Sequence, residues 1–548
     1  MDNYDISTLL GIYAKLAELH EENPFKVKAL SAAAFNIKKF KDPLQNMSDE
    51  TLAALPGIGK SVLSAIKNLL QTGTFPELEQ LIAKTPTGVL EMLKVKGLGP
   101  KKVGVIWRNM GIETIEDLLD ACRENRLVEF PGFGLKTQHE IQQAIQFALN
   151  ARGWFHYARA EASAREMLQK LRTQFPSSRT EFTGDFRRNA IVLDVIGTLT
   201  TLTEIEILEF AAENQLERSA DNELKFRDAN GFLFAFETAP ASDFEKQWFL
   251  GTGSAAHFQA LGMDENLAIQ GQTEMEIYQH FGFPYILPER REGVGELQSA
   301  GNEALIEFND LKGILHNHTT YSDGLHSLRE MAEHAKKLGY EYLGICDHSR
   351  TAGYAQGLSN EKVLRQMEEI DTLNAELAPF RIFKGIESDI LNDGSLDYEP
   401  DLLAKFDLIV ASIHSPLNMT EDRAMQRLIK AIENPYTRIL GHPTGRLLLV
   451  RKGYPVNHRY LIDACAANGV AIELNAHPFR LDIDWTHIPY ALEKGVLISI
   501  NPDAHEKEGY YDMHYGTLAA RKGGLTKKMT LNAKSLAEFE NWLSLKRA

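Results

Sequence analysis

Cysteine is scarce in this chain: its 548 residues include only three, Cys122, Cys346 and Cys465. They lie far apart without CxxC spacing, which argues against a disulfide framework and fits the reducing cytoplasm. The sequence has no apolar run long enough to span a bilayer, and its amino terminus lacks the charged-then-apolar pattern of a signal peptide. We therefore expect a cytoplasmic protein with no membrane partner.

An excess of positive charge is also lacking. The formal net charge is −16, which argues against a protein that coats nucleic acid by bulk charge. Residues 51–110 depart from this balance, with eight Lys and Arg against three Asp and Glu, a net of +5. Such a local basic surface can still attract a phosphate backbone. The length of the chain predicts several domains.

A short motif with two glycines occurs three times in the first 150 residues, which have helical periodicity. The copies are residues 55–60, 95–100 and 130–135, and each follows one helical stretch and opens another. This helix-hairpin-helix pattern allows a turn at positive φ and presents free backbone N–H groups to a phosphate. Such contacts hold DNA without reading its sequence. The predicted DNA-backbone contacts are Gly57, Gly59, Lys60, Gly97, Gly99, Lys101 and Lys102.

The third copy differs from the other two in its side chains. It carries Phe133 and Leu135 and has little flanking charge. We therefore expect a structural role for it more than for the others.

Seven short apolar runs between positions 311 and 505 each stop at, or just before, a residue that can bind a metal. Amphipathic stretches such as 328–338, 363–377 and 424–432 separate them, which predicts βα units and a parallel barrel. Side chains at the carboxyl ends of such strands form the active site of a barrel, so we predict a polynuclear metal site. The runs are 311–315, 342–346, 383–386, 408–413, 439–441, 470–474 and 496–500.

With these motifs, the chain resembles a bacterial family X DNA polymerase fused to a polymerase-and-histidinol-phosphatase (PHP) domain. The resemblance also rests on residues 184–188, 252–254 and 281–289 and covers essentially the whole chain. It implies an all-α helix-hairpin-helix region, an α/β nucleotidyltransferase-like palm and thumb, and a distorted (βα)7 PHP barrel. The implied domains are 1–80 (lyase-like), 81–152 (fingers-like), 153–245 (palm), 246–300 (thumb-like) and 301–548 (PHP).

The resemblance also implies the ligands of the metal site. Mixed imidazole and carboxylate ligands suit Zn²⁺, Mn²⁺ or Fe²⁺ better than Mg²⁺ or Ca²⁺, and nine ligands suffice for up to three ions, with Glu387 the bridging carboxylate. The nine are His316, His318, Asp323, His348, Glu387, His414, His442, Asp503 and His505. Candidates for binding phosphate or substrate are Arg446, Arg480 and Asn475, for which a place at the rim of the site remains an equal alternative.

The matching palm segment lacks carboxylates that the family uses for nucleotidyl transfer. The resemblance implies three aspartates, but only Asp194 remains, because Ile196 and Ala235 occupy the other two positions. One carboxylate cannot neutralise the two divalent cations of that chemistry. Asp185 replaces a triphosphate-binding serine and would repel the triphosphate, unless it serves as a relocated ligand. We therefore predict that templated synthesis is lost, and the remnant of this site is Asp194, Arg187 and Arg188.

Three segments of the middle region have a local pattern of their own. Residues 188–196 and 231–236 have the pattern of β-strands, and the charged residues 288–303 are typical of a connector.

The leading functional prediction is a DNA-repair phosphodiesterase, acting as a monomer on gapped or single-stranded DNA as a 3′→5′ exonuclease or 3′-end-processing enzyme. One alternative is a PHP-type phosphomonoesterase acting on a small phosphorylated metabolite, which would have no use for the hairpins. Another is an active polymerase with relocated metal ligands. A DNA-binding scaffold with both sites idle is the third, and the nine-ligand set argues against it.

Overall fold

A computed structural model describes residues 1, 3–38, 40, 43–219, 224–263, 269–299 and 304–545. The chain divides into two compact units, Met1–Arg152 and Gly153–Ala548. Within the described residues, no helix is both long enough and apolar enough to cross a membrane.

The first unit is helical, as the periodicity predicts. Its apolar core includes Leu10, Ile66, Val103 and Leu118, all of them buried. The helices are α1 (Asn3–Leu19), α2 (Pro24–Ile37), α3 (Asp49–Ala54), α4 (Lys60–Thr72), α5 (Pro76–Ala83), α6 (Thr87–Met92), α7 (Pro100–Met110), α8 (Ile115–Arg123) and α9 (Leu135–Asn150).

The three two-glycine motifs have the same backbone conformation. The first glycine of each has a positive φ (84° at Gly57, 88° at Gly97 and 92° at Gly132), a region that glycine enters without steric cost. The second glycine is extended and immediately precedes α4, α7 or α9, and no side chain caps any of these three helices. Each motif therefore leaves the first N–H groups of a helix available to a ligand.

The second unit begins with a small α/β region. A five-stranded sheet has the order β2-β4-β7-β6-β5, in which only the β4–β7 pair is parallel, and β1 pairs with β3 separately. Its elements are β1 (Phe155–His156), α10 (Tyr157–Gln174), β2 (Thr180–Thr183), α11 (Gly184–Arg187), β3 (Val192–Leu193), β4 (Ile196–Thr200), α12 (Glu204–Glu213), β5 (Glu217–Arg218), β6 (Lys225–Arg227) and β7 (Leu233–Thr238).

The prediction of one strand over residues 188–196 is wrong. Asn189 adopts a left-handed φ of 53°, and the Ala190 N–H bonds back to the Asp185 carbonyl, which closes a turn where a strand was expected. The chain then forms β3 and crosses to β4 through the exposed Asp194. The strand predicted over 231–236 is present as β7, shifted by two residues.

Four helices lead from this sheet toward the C-terminal barrel: α13 (Phe244–Leu250), α14 (Ala255–Ala260), α15 (Glu274–His280) and α16 (Glu296–Ser299). The segment predicted as a charged connector is partly interior, because Arg290 and Arg291 are buried. Arg291 forms a two-pronged ion pair with Glu274 (2.6 and 3.0 Å), which explains how this charge is accommodated. Residues 300–303 of the segment lie outside the described residues.

The C-terminal region forms a nearly closed seven-stranded parallel barrel, ordered β14-β13-β12-β11-β10-β9-β8. Each of the seven apolar runs overlaps one of these strands, and the three amphipathic stretches are helical. The elements are β8 (Gly313–Ile314), α17 (Leu328–Lys337), β9 (Tyr342–Ile345), α18 (Asn360–Leu377), β10 (Arg381–Asp389), α19 (Pro400–Leu403), β11 (Leu408–Ser412), α20 (Glu421–Ile432), β12 (Ile439–Leu440), α21 (His458–Asn468), β13 (Ala471–Asn475), α22 (Ile488–Glu493), β14 (Ile498–Asn501), α23 (Met513–Lys522) and α24 (Leu536–Ser544).

Alternate residues of the barrel strands pack into two layers. On β11, Ile409 belongs to the large apolar cluster that includes the surrounding helices. Leu408 and Val410 belong to a smaller cluster that includes Phe539 of α24. Because side chains alternate along a strand, this inner layer fills the barrel below the strand ends and leaves those ends for polar residues.

The two edge strands, β8 and β14, are not paired by a continuous ladder of backbone hydrogen bonds. Individual hydrogen bonds join them instead. At their carboxyl ends the His318 N–H donates to the Ala504 carbonyl (2.8 Å). Elsewhere the buried Asn532 spans them: its amide NH₂ donates to the carbonyls of Gly313 (3.1 Å) and Ile500 (2.6 Å), and its Oδ1 accepts from the Ile500 N–H (3.0 Å). Asn532 therefore completes the hydrogen bonding of both edges.

We predict that Asn532→Ala lowers the free energy of unfolding by about 2–4 kcal/mol, because it leaves buried backbone groups unpaired on both strands. Denaturant unfolding followed by circular dichroism measures this. Asn541→Ala, at an exposed position of α24, is the matched control and should change stability by less than about 0.5 kcal/mol. Equal stability of the two variants would contradict the role given to Asn532.

Candidate metal centre

The predicted ligands meet at one rim of the barrel because they follow the carboxyl ends of parallel strands. His316 and His318 follow β8, His348 follows β9, and Glu387 lies within β10. The others come from the ends of β11, β12 and β14 or, for Asp323, from the loop after β8. All nine lie together, and eight of them fall into three groups whose ligand atoms are within 4.8 Å of one another. These groups are His318, Asp323, His348 and His505; His316, His318 and Asp503; and His348, Glu387 and His414.

Glu387 is at the middle of this arrangement and is only 1% exposed. Its Oε1 faces His442, His414 and His316, and its Oε2 faces His348 and His318. The distances from the ring nitrogens to the nearer carboxylate oxygen are 2.9 Å (His442), 2.9 Å (His348), 3.1 Å (His414), 3.4 Å (His316) and 3.7 Å (His318). His442, the one predicted ligand outside the three groups, therefore still contacts the centre.

Asp503 and Asp323 supply negative charge at the other side of His318. Asp503 Oδ1 lies 3.0 Å from His318 Nε2, and Asp323 Oδ1 lies 3.4 Å from His505 Nε2. Asp503 is buried and has a left-handed φ of 54°, a strained conformation for a residue with a Cβ. The fold maintains this strain at the position that aims a carboxylate into the centre.

Several buried atoms of the centre have no hydrogen-bond partner in the described part of the chain. They include His316 Nε2, His318 Nδ1, His442 Nδ1 and Glu387 Oε2. Buried polar atoms in proteins are nearly always paired, and an ion is one explanation when they are not. Nitrogen and carboxylate oxygen donors with free lone pairs are suitable ligands for a divalent transition metal.

The charges of the centre shift the protonation of its members. Burial disfavours the charged imidazolium, but Glu473 and Glu387 outweigh it and raise the pKa of His316 well above its usual value. For His414, too, burial is outweighed by Glu387, and the pKa rises to about 10. Burial, together with the neighbouring rings of His505 and His348, lowers the pKa of His318 to about 3. Rings protonated in the metal-free protein must release their protons when they bind a metal.

Glu473 is a functional residue that the sequence analysis missed. This buried carboxylate accepts from His316 Nδ1 (2.7 Å), the His442 N–H (3.1 Å), Asn475 Nδ2 (3.2 Å) and Asn501 Nδ2 (2.9 Å). It fixes the His316 ring with Nε2 toward Glu387. A carboxylate inside an apolar strand, two residues before Asn475 and so on the same face, was the available signal.

Two more carboxylates support the centre. Asp389 Oδ1 is 2.5 Å from His414 Nδ1, and it follows Glu387 at the two-residue spacing of one strand face. Asp347 accepts from the N–H and hydroxyl of Thr319 (2.8 and 2.7 Å) and from Gln366 Nε2 (2.6 Å), and so anchors the loop that carries Asp323. Such partners orient metal ligands and raise their affinity.

The three phosphate-binding candidates have different surroundings. Arg480 Nε lies 3.8 Å from Asp503 Oδ2, its only ion pair within the described residues. Arg446 donates to the carbonyls of Arg480 (2.8 Å) and Leu481 and to the Asp484 carboxylate. Asn475 Nδ2 donates to Asp503 (3.1 Å). Of the three, Arg480 has the most free donors, whereas Arg446 is occupied by protein acceptors.

Most of the predicted DNA contacts of the first unit lie on open surface, but at Gly57 a Cβ would lie 3.0 Å from Asn36 Nδ2. No described heavy atom is within 4 Å of the place where a Cβ would lie at Gly59, Gly97 or Gly99, so a ligand can approach the backbone there. Lys60 and Lys101 are exposed. Lys102 is half-buried, and its Nζ donates to the Gly97 carbonyl (3.3 Å).

The residues predicted to be the remnant of a palm site have their charges in internal ion pairs. Arg187 donates to both oxygens of Glu274 (2.8 and 2.7 Å) and stacks on Trp248, with its guanidinium carbon 3.4 Å from the ring centre. Arg188 pairs with Asp185 and with Glu292 (2.9 Å). Ile196 is fully buried in the apolar core, and Ala235 lies beside Gly197 on the paired strand. Asp194 is exposed, and within the described residues it forms no ion pair with either arginine.

Comparison with known proteins agrees with this architecture. Residues 1–75 match a helix-hairpin-helix domain, residues 89–146 a SAM-like helix-hairpin-helix tandem, and residues 315–477 a PHP domain. The DNA polymerase/3′-5′ exonuclease PolX of Bacillus subtilis (strain 168) is 36% identical over 575 aligned residues, which cover 99% of each chain. A probable phosphatase of Thermoanaerobacter sp. (strain X514) is 26% identical over 246 residues, 42% of this chain and 94% of the phosphatase.

Helical hairpins in one unit and a histidine-rich rim on a seven-stranded barrel in the other define a PHP-domain protein with helix-hairpin-helix modules. The similarity to the Bacillus protein extends over both units. The chain belongs to the bacterial family X DNA polymerases that carry a C-terminal PHP domain.

We predict that Glu473→Gln lowers the affinity of the centre for Mn²⁺ about 10–100-fold, because the amide no longer holds the His316 ring by a charged hydrogen bond. Calorimetric titration of the metal-free protein measures the affinity. Glu493→Gln, at an exposed position of the same domain, is the control and should bind as the unaltered protein does. An unchanged affinity in Glu473→Gln would show that this carboxylate does not support the centre.

Proposed function

We propose that this chain is a DNA-processing phosphodiesterase whose PHP centre removes nucleotides from the 3′ ends of gapped or single-stranded DNA. The observation that carries the proposal is the convergence of nine imidazole and carboxylate side chains on one barrel rim. The Bacillus relative is a DNA polymerase/3′-5′ exonuclease by name, which supports this substrate and polarity.

The nine side chains would hold up to three divalent ions of manganese, zinc or iron. When bound, such ions lower the pKa of a coordinated water to about 7 and neutralise charge on phosphate oxygens. Glu387 would bridge ions, since its two oxygens face different imidazoles. Glu473 and Asp389 hold His316 and His414 in position for this role.

Arg480 would bind the phosphate beside the ions. Its guanidinium has donors to spare and lies next to Asp503, and an arginine fork matches two phosphate oxygens. Asn475 would keep Asp503 in place through its 3.1 Å hydrogen bond. Arg446 would act indirectly, by fixing the Arg480 and Leu481 carbonyls.

The helical hairpins would hold the DNA backbone whatever its sequence. The open N–H groups at Gly59 and Gly99 and the exposed Lys60 and Lys101 support this role. We propose that the chain acts as a monomer and that residues 1–80, 81–152, 153–245, 246–300 and 301–548 are its lyase-like, fingers-like, palm, thumb-like and PHP domains.

A phosphomonoesterase is the second candidate, because probable phosphatases match the C-terminal part of the chain. That of Acetivibrio thermocellus is 28% identical over 245 residues, 42% of this chain. The hairpin modules favour a DNA substrate over a metabolite, since a metabolite phosphatase does not need contacts to a DNA phosphate backbone.

We predict that the Mn²⁺-loaded protein shortens 5′-labelled single-stranded and gapped DNA stepwise from the 3′ end. Glu387→Gln should slow this reaction at least about 100-fold, because one uncharged amide cannot replace the carboxylate that faces five imidazoles. Glu399→Gln, an exposed carboxylate of the same domain, is the control and should remain active. The products are resolved on a denaturing gel.

Three results would count against this function. Release of the 5′ label as a mononucleotide would reverse the polarity. Equal activity in Glu387→Gln would place the reaction elsewhere. Rapid hydrolysis of small phosphomonoesters without any attack on DNA would favour the second candidate.

We also propose that templated DNA synthesis is lost. Two of the three positions for catalytic carboxylates carry the apolar Ile196 and Ala235, and the arginines of the remnant site are already paired with Glu274, Asp185 and Glu292. A triphosphate would have to break these pairs to bind, and the metal ions would have a single carboxylate.

We predict that the Glu387→Gln variant, which should erase a product at least about 100-fold more slowly, adds no nucleotide to the primer of a gapped duplex with Mg²⁺ or Mn²⁺ and all four dNTPs. A replicative polymerase on the same substrate is the positive control. Template-dependent extension would contradict the proposal. In that case Asp185→Asn and Asp194→Asn would identify which carboxylate holds the metal.

A further inference from the structure

The aromatic ring of Tyr354 is exposed beside the metal centre. The residue is 68% accessible, yet its ring contacts two of the predicted ligands edge to face. The ring centroids are 5.9 Å from that of His348 and 6.1 Å from that of His414. One part of the ring thus touches the centre, while most of its surface faces solvent.

The loop that carries Tyr354 is firmly attached at its base. The Leu358 N–H donates to the His348 carbonyl (2.9 Å), and the Gly357 N–H donates to the Ala352 carbonyl (3.1 Å). Ala352 and Ala355, on either side of the tyrosine, are buried. Gly357 has no room for a side chain, since a Cβ would lie 1.9 Å from the Ser349 carbonyl oxygen.

This attachment separates Tyr354 from an ordinary exposed tyrosine. Single exposed aromatic residues are common and need no explanation. Here the buried alanines and the hydrogen bonds of the loop fix an outward-facing ring against two histidines of the centre. A ring held in advance loses little entropy when a flat group stacks on it.

We propose that Tyr354 is the stacking platform for the base of the 3′-terminal nucleotide, a subsite that rests on the proposed DNA-processing function. A nucleotide whose phosphate is bound by the metal centre and Arg480 has its sugar and base beside the rim of the centre. Tyr354 contacts the centre from the β9 loop, whereas Arg480 and Asp503 belong to the β13 and β14 ends. Stacking does not depend on base identity, which suits a sequence-independent nuclease.

The test compares two single strands that differ only at the 3′-terminal residue, which is a normal nucleotide in one and an abasic tetrahydrofuran in the other. Base–aromatic stacking has a free energy that corresponds to about 5–150-fold in kcat/KM. The unaltered protein should prefer the normal end by a factor in this range. Tyr354→Ala should lose that factor on the normal end and hydrolyse the abasic end within about 2-fold of the unaltered protein.

Two further variants make the comparison specific. Tyr354→Phe keeps the ring and should retain the preference for the normal end. Tyr460→Ala removes another exposed tyrosine of the barrel domain, 55% accessible, and should leave both rates unchanged. If Tyr354→Ala slows both substrates equally, the ring only supports the histidines, and the subsite is refuted. If it slows neither, the base lies elsewhere.

A binding measurement separates failure of this inference from failure of the proposed function. The fluorescent base 2-aminopurine at the 3′ terminus is quenched when it stacks. Titration with the unaltered protein in Ca²⁺ should quench it, and titration with Tyr354→Ala should not. If no DNA is hydrolysed but this difference is present, the nuclease assignment fails while the subsite stands. Absence of quenching by the unaltered protein overturns the subsite.

Discussion

The carboxylate of Glu387 and the five imidazoles around it constrain the whole C-terminal half of the molecule. A carboxylate that is 1% exposed is costly to bury unless positive charge compensates it. Positive charge comes from His316 and His414, whose pKa values are raised. The carboxyl ends of β8, β9, β11 and β12 bring these two rings, together with those of His318, His348 and His442, within 3.7 Å of the carboxylate. Histidines from four different strands can converge in this way only when the barrel keeps its register, so the electrostatics of the centre depend on the fold around it. Closure at Asn532 and at the His318–Ala504 hydrogen bond is therefore a condition for the site.

A second cluster of charged residues differs from the metal centre, because its charges are already paired with one another. In the region predicted to be palm and thumb-like, Arg187 and Arg188, the arginines expected to bind a triphosphate, are paired with Glu274 and Glu292. Although burial disfavours its charged form, the hydrogen bonds from Arg291 and Arg187 lower the pKa of Glu274 to about 2. Lys522 of α23 also pairs with Glu292 and donates to the Arg188 carbonyl (3.1 Å), which ties this region to the barrel. The contrast between unpaired donors at the PHP rim and paired charges in the palm is the structural basis for expecting hydrolysis without synthesis.

Much of this architecture could be predicted from the sequence because strand ends and metal ligands coincide. Apolar runs that end at residues able to bind a metal predicted a parallel barrel with a metal site at its strand ends, and the family resemblance supplied the nine candidate ligands. The sequence did not predict buried polar residues whose partners are distant in the sequence. Glu473 lies inside an apolar strand, and only its partners in space reveal that it orients His316. The charged segment 288–303 was expected to be a connector, but Arg291 is buried against Glu274, seventeen residues earlier in the sequence. Asn189 ends the strand expected over 188–196 through a left-handed turn that the sequence pattern does not display.

Anomalous diffraction from crystals of the Mn²⁺-loaded protein, grown with an oligonucleotide that ends in a 3′ phosphorothioate linkage, would locate both the metal ions and the DNA 3′ end. Two or three manganese peaks are expected around Glu387, ligated by His316, His318, His348, His414, His442 and the nearby aspartates, with the terminal phosphorothioate bound to them. Absence of metal at this rim, or a DNA 3′ end bound in the palm with the rim empty, would contradict the proposed role of the PHP centre.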